Sequence, residues 1–248
     1  MANKVSTIIC TFNSGEKTKD AILSVLNQNY DDFECIVVDG ASTDHVTLDI
    51  IKSFEGNHHF KYISEPDSGI FNAMNKGWKL ATGEWIHYLG SDDQLLPDGI
   101  INVFSEVEDS KRYDILYGNI LYKYEDGTIK THHHKDHRSL PMMMFACHQA
   151  ILMRKNIIER LGGFDENIKL LGDKDLMIRT YYLGNCRYKP VEAKIALFAG
   201  GGASSNYYNS FKEEFKIIKK IHPGIKYCLY VLQHYPRMWL RKKLRLKV

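Results

Sequence analysis

This 248-residue chain predicts an α/β fold, with a mostly parallel central sheet flanked by helices and a helical C-terminal tail. Three observations carry that prediction. Apolar strand-like runs alternate with helical stretches through the N-terminal part, the pattern of right-handed parallel crossovers. An aromatic-rich run, Trp85 to Leu89, is followed at once by Gly90-Ser91-Asp92-Asp93, and ligands of open α/β sheets bind beyond the carboxyl ends of strands. A hydrophobic share of 44% and a charged share of 25% are those of ordinary globular proteins.

The elements follow in order. Val5 to Cys10 is β-branched and apolar, a first strand, and Thr11 to Gly15 turns the chain. Lys17 to Gln28 carries Ala21, Ile22, Val25 and Leu26 at helical spacing. Phe33 to Val38 is a second strand that delivers Asp39, where an acidic residue commonly binds a ribose or base, or simply forms a turn before Gly40. Phe60 to Ser64 is a third strand, and the helix from Ile70 to Leu80 ends at Gly83. Its Lys76 could reach a phosphate, although a solvated lysine is the default. Trp85 to Leu89 then presents Asp92 and Asp93. Two adjacent carboxylates repel each other and resist desolvation. A Mg²⁺ or Mn²⁺ ion with a phosphate-bearing ligand would relieve them; the alternative is a cap for a helix from Pro97 to about Val107. No G-x-G-x-x-G follows the first strand and no G-x-x-x-x-G-K-[ST] occurs. This argues against a dinucleotide fold or P-loop, and a diphosphate would instead be met by metal.

Further on, Tyr113 to Tyr117 and Leu121 to Tyr124 read as strands, with Asp126-Gly127 closing a hairpin into Ile129 to Thr131. His132, His133, His134 and His137 suggest a metal site. Consecutive strand residues face opposite ways, however, and no cysteine joins them, so they read as a surface loop. Met142 to Phe145 is core, or a soft wall over a hydrophobic acceptor. A strand from Ile151 to Arg154, a helix from Lys155 to Leu161 and a helix from Asp173 to about Leu183 follow, the last with Asp175 and Arg179 as an i, i+4 pair. On position alone Asp173 is a helix cap. Ile195 to Phe198 is a strand, and Gly200 to Ser205 a linker or a closing loop. The tail helix, Tyr207 to Ile221, puts Phe211, Phe215, Ile218 and Ile221 on one face.

Five scattered cysteines without a C-x-x-C pair point to small buried hydrophobes in a reducing compartment. No apolar run approaches the ~18 residues of a membrane span, and a strand starts almost at the N-terminus, so a cytoplasmic protein is expected. From Lys216 onward there are ten Lys/Arg and no Asp/Glu, against 23 basic and 30 acidic residues before it. Residues 237–247 interleave that charge with Trp239, Leu240, Leu244 and Leu246, as in a helix lying on an anionic membrane surface. No nucleic-acid module precedes the tail, so nucleic acid is not expected as a partner.

Thr7 to Asn13, Ile36 to Asp44, Asp67 to Gly77, Ser91-Asp92-Asp93, Cys147-His148-Gln149, Gly163-Phe164-Asp165 and Asp173-Lys174-Asp175-Leu176-x-x-Arg179 together resemble the family 2 glycosyltransferases, over roughly residues 4 to 205. The resemblance implies a GT-A nucleotide-diphospho-sugar transferase fold, a Mg²⁺ or Mn²⁺ ion, a donor that is most often a UDP-sugar, and inversion at the anomeric carbon. By position it implies that Asp39 contacts the base and that Thr11, Asn13, Asp67 and Lys76 lie along the donor. Asp92 would face ribose and phosphates, Asp93 hold the metal, His148 and Gln149 meet the acceptor, and Asp173 act as general base. Two departures stand out: Ser91 replaces the first Asp of D-x-D, and Gly172 stands where many relatives have Glu. The expected organisation is a donor half over 1–115, an acceptor half over 116–206 and a basic tail over 207–248. The tail adds an expectation of polysaccharide assembly on a lipid-linked saccharide, with the protein peripheral at the inner membrane face. A sugar-1-phosphate nucleotidyltransferase or a non-catalytic binding relative are the alternatives.

Overall fold

The computed structural model describes residues 3–140, 143–200 and 207–221, with single positions 224, 231, 232 and 236. Nine strands form one sheet in the order β3-β2-β1-β4-β8-β6-β9-β5, with β7 added to β6. The N-terminal side holds β1 (Val5–Thr11), β2 (Phe33–Asp39), β3 (Phe60–Ser64) and β4 (Trp85–Gly90), all parallel. The other side is mixed: β5 (Gln94–Leu95), β6 (Ile115–Lys123), β7 (Ile129–His132), β8 (Ile151–Arg154) and β9 (Tyr188–Phe198). Here β8 runs antiparallel to both β4 and β6, while β9 runs parallel to β6. Strands β1, β2 and β4 are buried on both faces, whereas the edge strand β3 is half-exposed.

Alternate residues of β1 feed opposite cores. Ile8 and Cys10 face one core, with Trp78 of helix α3 (Ile70–Leu80), Ile158 of α5 (Lys155–Arg160), Leu176 of α6 (Gly172–Tyr182) and Ile218 of α7 (Tyr207–Ile221). Val5 and Ile9 face the other, with Ile22 of α1 (Glu16–Leu26), Ile51 of α2 (Val46–Lys52) and Val103 of α4 (Gly99–Ser105). The result is three layers with helices on both faces.

Most expected elements form, within a residue or two of their expected ends, but the strand expected at Ile195 to Phe198 begins seven residues earlier, at Tyr188, where it pairs with the start of β6. Differences have local causes. Helix α2 was not expected; it has only seven residues, and its first turn is set by Asp44 accepting from Thr47 N (3.0 Å) and Oγ1 (2.7 Å). The two strands expected at 113–124 are one, β6. Between them, Gly118-Asn119 marks a shift of register against β9. Gly118 sits where a Cβ would be 2.6 Å from the Ala193 carbonyl, a glycine imposed by close backbone approach. Helix α4 starts at Gly99 rather than Pro97, because β5 and Leu96 first pair with β9. The Met142 to Phe145 stretch divides: Met143 is exposed, Met144 packs on the core and Phe145 is buried, with Met142 outside the described residues. The four described cysteines are free thiols. Among the described residues no helix is long and apolar enough to cross a membrane. The glycine-rich loop after Gly200 and the basic segment 237–247 lie outside the described residues.

Candidate functional site

The carboxyl ends of β1, β2 and β4 form one rim of the sheet, with Thr11 paired to Asp39 in register. Asp39 is fully buried. Its carboxylate accepts from Ser42 N (3.0 Å), Ser42 Oγ (2.5 Å) and Ser64 Oγ (2.7 Å). Asn13 adopts a left-handed φ of 51°. Its Oδ1 accepts from Thr43 N (2.8 Å) and Asp44 N (3.2 Å), while its own N–H donates to Ser42 Oγ (2.8 Å). The two residues thus fasten the loops after β1 and β2 to each other, as short polar side chains do when they replace backbone partners. Thr11 is buried and shares a hydrogen bond with Thr18 (3.1 Å). Asp67 reaches this rim over Gly40, whose Cβ would fall 2.6 Å from the Asp67 carboxylate. Lys76 stands back from it, donating to the Pro66 carbonyl (2.8 Å) and pairing with Glu65 (2.9 Å), so it steadies the loop that carries Asp67. Phe12, which sequence reasoning left without a role, is 59% exposed beside Gly40, a free aromatic face on the rim.

Asp92 is exposed at the end of β4, whereas Asp93 is only 2% exposed. Asp93 Oδ2 accepts from Gln149 Nε2 (2.7 Å) and Oδ1 from Ala199 N (2.9 Å). Burial pushes its carboxyl up to about 6 and the neighbouring Asp92 adds to the rise, against the pull of the Ala199 and Gln149 donors. A carboxylate has about four acceptor positions, so Asp93 keeps capacity for a cation. Among the described residues no three His, Cys, Asp or Glu side chains converge as a metal cluster. An ion here would take Asp93, with Asp92 beside it, and complete its shell with phosphate oxygens and water, the usual arrangement for Mg²⁺. The donor set fits such an ion.

Gln149 arrives from a 3-10 turn, His148–Ala150, that leads into β8. Its carbonyl accepts from His87 Nε2 (2.9 Å), whose Nδ1 accepts in turn from Thr7 (3.3 Å). Burial lowers His87 to about 4, so it is a neutral strut under the turn. The Gln149 amide oxygen accepts from the Cys147 thiol (2.8 Å). Burial drives that thiol up to about 12, and the charges of Asp93 and Asp173 both add to the rise. Cys147 therefore lies within electrostatic reach of both acids. His148 packs against Tyr88 (centroids 5.3 Å apart), and both its ring nitrogens are buried without a partner among the described residues. Its pKa is lowered by burial, with Asp173 opposing.

Asp173 is half-buried in the first turn of α6, and its Oδ1 accepts from Lys174 N (2.7 Å). The preceding Gly172 has a cause: a Cβ there would lie 2.7 Å from the Phe71 ring. Asp175 and Arg179 form the expected pair (2.7 Å), and Arg179 also donates to the carbonyls of Leu161 (2.7 Å) and Gly163 (2.8 Å). Sequence reasoning missed a second latch. Asn72 and Asn75 of α3 donate to the two oxygens of Glu166 (2.9 and 2.8 Å), locking the Gly163–Glu166 loop to α3. The signal was present, since two amides at i, i+3 share a helix face, but their partner lies some ninety residues on.

The histidines are exposed or half-exposed, as expected of a surface loop, but they also line a cavity of about 280 Å³. Its walls include Tyr122, His132, His133, His134, Phe198 and Cys147. His132 stacks on Tyr122 (4.6 Å, 15°), while His137 stacks elsewhere on Tyr188 (4.3 Å, 6°). The imidazoles do not converge on a point.

Comparison with known proteins matches residues 6–165 to the model of Glycosyl transferase family 2. A PGL/p-HBAD biosynthesis glycosyltransferase of Mycobacterium bovis is 28% identical over 94% of this chain and 91% of its own. S. aureus TarS superposes with a TM-score of 0.69 at 20% identity, over 89% of this chain but 40% of that one. Its 1–349 fragment in complex with UDP-GlcNAc gives 0.70 at 18% identity, over 89% and 68%. The mannosyltransferase PcManGT of Pyrobaculum calidifontis, in complex with GDP-Man and Mn²⁺, gives 0.68 at 16% identity, over 96% and 70%. These neighbours share the fold, which is GT-A.

Proposed function

Because the chain belongs to glycosyl transferase family 2, we propose that it transfers a sugar from a UDP-sugar to an acceptor hydroxyl, with inversion at the anomeric carbon. The observation that carries this reading is Asp93, buried just beyond the carboxyl end of β4 and held there by Gln149 Nε2 and Ala199 N with acceptor capacity to spare. The UDP-GlcNAc and GDP-Man complexes of the structural neighbours support a nucleotide-sugar donor.

On this reading residues 1–115 bind the donor, 116–206 face the acceptor and 207–248 form an appended tail. Asp39, Asn13, Thr11 and Asp67 shape the nucleoside end, Phe12 offers its ring face to the base, and Lys76 braces the loop of Asp67. Asp92 faces the ribose and phosphates. Asp93 would hold Mg²⁺ or Mn²⁺, and such an ion, when bound, stabilises charge developing on the departing diphosphate. Gln149 keeps Asp93 oriented. Asp173 accepts the acceptor's hydroxyl proton on its carboxylate while the acceptor oxygen attacks the anomeric carbon opposite the leaving group. The aromatic cavity beside Cys147 and His148 suits a saccharide acceptor, since rings stacked on Tyr122 and Phe198 would bury their apolar faces. The basic tail extends the reading to a lipid-linked acceptor at the inner face of a bacterial membrane.

The test is product release from a panel of UDP-sugars with Mn²⁺. Free UDP, slow alone and faster with acceptor, supports the transferase. Turnover that depends on pyrophosphate marks a nucleotidyltransferase, and silence marks a binding protein. A positioned base contributes ~10²–10⁴-fold, so Asp173→Asn should lower transfer by at least ~100-fold with donor affinity unchanged. Retention of most transfer would remove Asp173 from the role of base.

A further inference from the structure

We propose that Glu213, from the C-terminal helix α7, positions Asp173 by fastening the loop that leads into α6, which fixes where the first turn carries the Asp173 carboxylate. This rests on reading Asp173 as the base. The first N–H groups of a helix lack intrahelical partners, and a side-chain oxygen at the N-cap normally accepts from one of them. The residue at the N-cap of α6 is Leu171, which has no side-chain acceptor and makes no capping bond. Two acids lie in the first turn, Asp173 and Asp175. Asp175 is fully buried and given over to Arg179.

Glu213 holds the chain that enters α6. Its carboxylate accepts three backbone hydrogen bonds in a row, from Lys169 N (2.6 Å), Leu170 N (2.7 Å) and Leu171 N (2.8 Å). These are the three residues that lead into the helix, so the loop's donors and the positive end of the α6 dipole meet a charge from outside. The next residue of α7 acts on the other flank. Glu214 pairs with Lys174 (2.6 Å), with side-chain exposures of 11% and 8%. Residues 171 and 174 are therefore both tied to consecutive positions of α7, and Asp173 stands between them. Among the described residues it accepts only from the N–H of Lys174, and it remains half-exposed. The same loop reaches the donor rim, where Lys169 Nζ donates to the carbonyl of Ser68 (3.2 Å), next to Asp67.

The helix after the catalytic halves is thus part of the machinery. Its effect should be on turnover rather than on donor binding, because the Glu213 carboxylate holds the backbone before α6 and not the ends of β1, β2 and β4. A misplacement of ~1 Å at a reacting group can cost ~100-fold, so Glu213→Ala should lower kcat for transfer by about 10- to 100-fold. UDP-sugar affinity should stay within about twofold in the same variant. Glu213→Gln retains one acceptor oxygen and should fall between Ala and the parent. Thermal melts identify folded variants, and Glu213→Gln carries the test if Glu213→Ala does not fold. A purely structural cap predicts a lower melting temperature with kcat unchanged, and that result in a folded variant overturns the proposal. Parallel loss of kcat and donor affinity overturns it as well. Asp173→Asn, run alongside, separates the two readings. If it keeps transfer, the base reading fails and this proposal with it; if it abolishes transfer while the Glu213 variants turn over normally, the positioning role fails alone.

Discussion

Asp93 shows what a single residue surrenders for its function. A carboxyl held at about 6 in the fold, against ~3.9 in an unfolded chain, costs about 3 kcal/mol of stability once both states are ionised. The sign follows from proton counting. Between the two values the folded state binds the extra proton, so stability falls as pH rises from about 4 to 6 and stays low above that. Asp93→Asn should therefore raise the melting temperature of the ligand-free protein at pH 7.5 and raise it far less near pH 4. The same variant should lose Mn²⁺-dependent UDP-sugar binding. Melts at both pH values check this, and a shift independent of pH would exclude the buried charge as its cause. Much at this scale was legible in the chain. Asp39, Asp92 and Asp93 stand at strand ends, and Gly172 was visible as a departure. What was hidden is who holds them: Gln149 joins Asp93 across 56 positions, and Glu213 reaches Leu170 across 43. No local spacing encodes such contacts.

Among the elements, α6 depends on a buried ion pair more than its length suggests. Asp175 is fully buried, Oδ1 has no partner among the described residues, and Arg179 supplies the charge that offsets it. Removing one partner of such a pair strands the other, at ~3–5 kcal/mol. Arg179→Met should lower unfolding stability by about that amount, measured by urea titration, and adding Asp175→Asn should recover part of it. Equal stability of Arg179→Met and the parent would show the pair to be dispensable. Strands β1 to β4 and helices α1, α3 and α7 could be read from the sequence because each is long enough to show its apolar run or buried face. Helix α2 and strand β5 could not, having seven and two residues. At β6, Gly118 is a point of close strand approach that no local pattern announces.

At the scale of the whole molecule the question is what the tail does. Residues 237–247 carry six Lys/Arg, each worth ~1 kcal/mol near anionic lipid. Deleting residues 236–248 removes that charge and leaves α7 with Glu213 in place. The truncated protein should leave anionic liposomes, most completely in salt, while turning over UDP-sugar on a soluble acceptor at the parent rate. Undiminished co-sedimentation would assign membrane binding elsewhere or nowhere. Phe71 of α3 lies against Gly172 of α6. That contact makes two distant codons interdependent. A library that randomises position 172 alone will return glycine and little else, and an acidic neighbour for Asp173 becomes accessible only when a smaller residue at 71 is introduced in the same step.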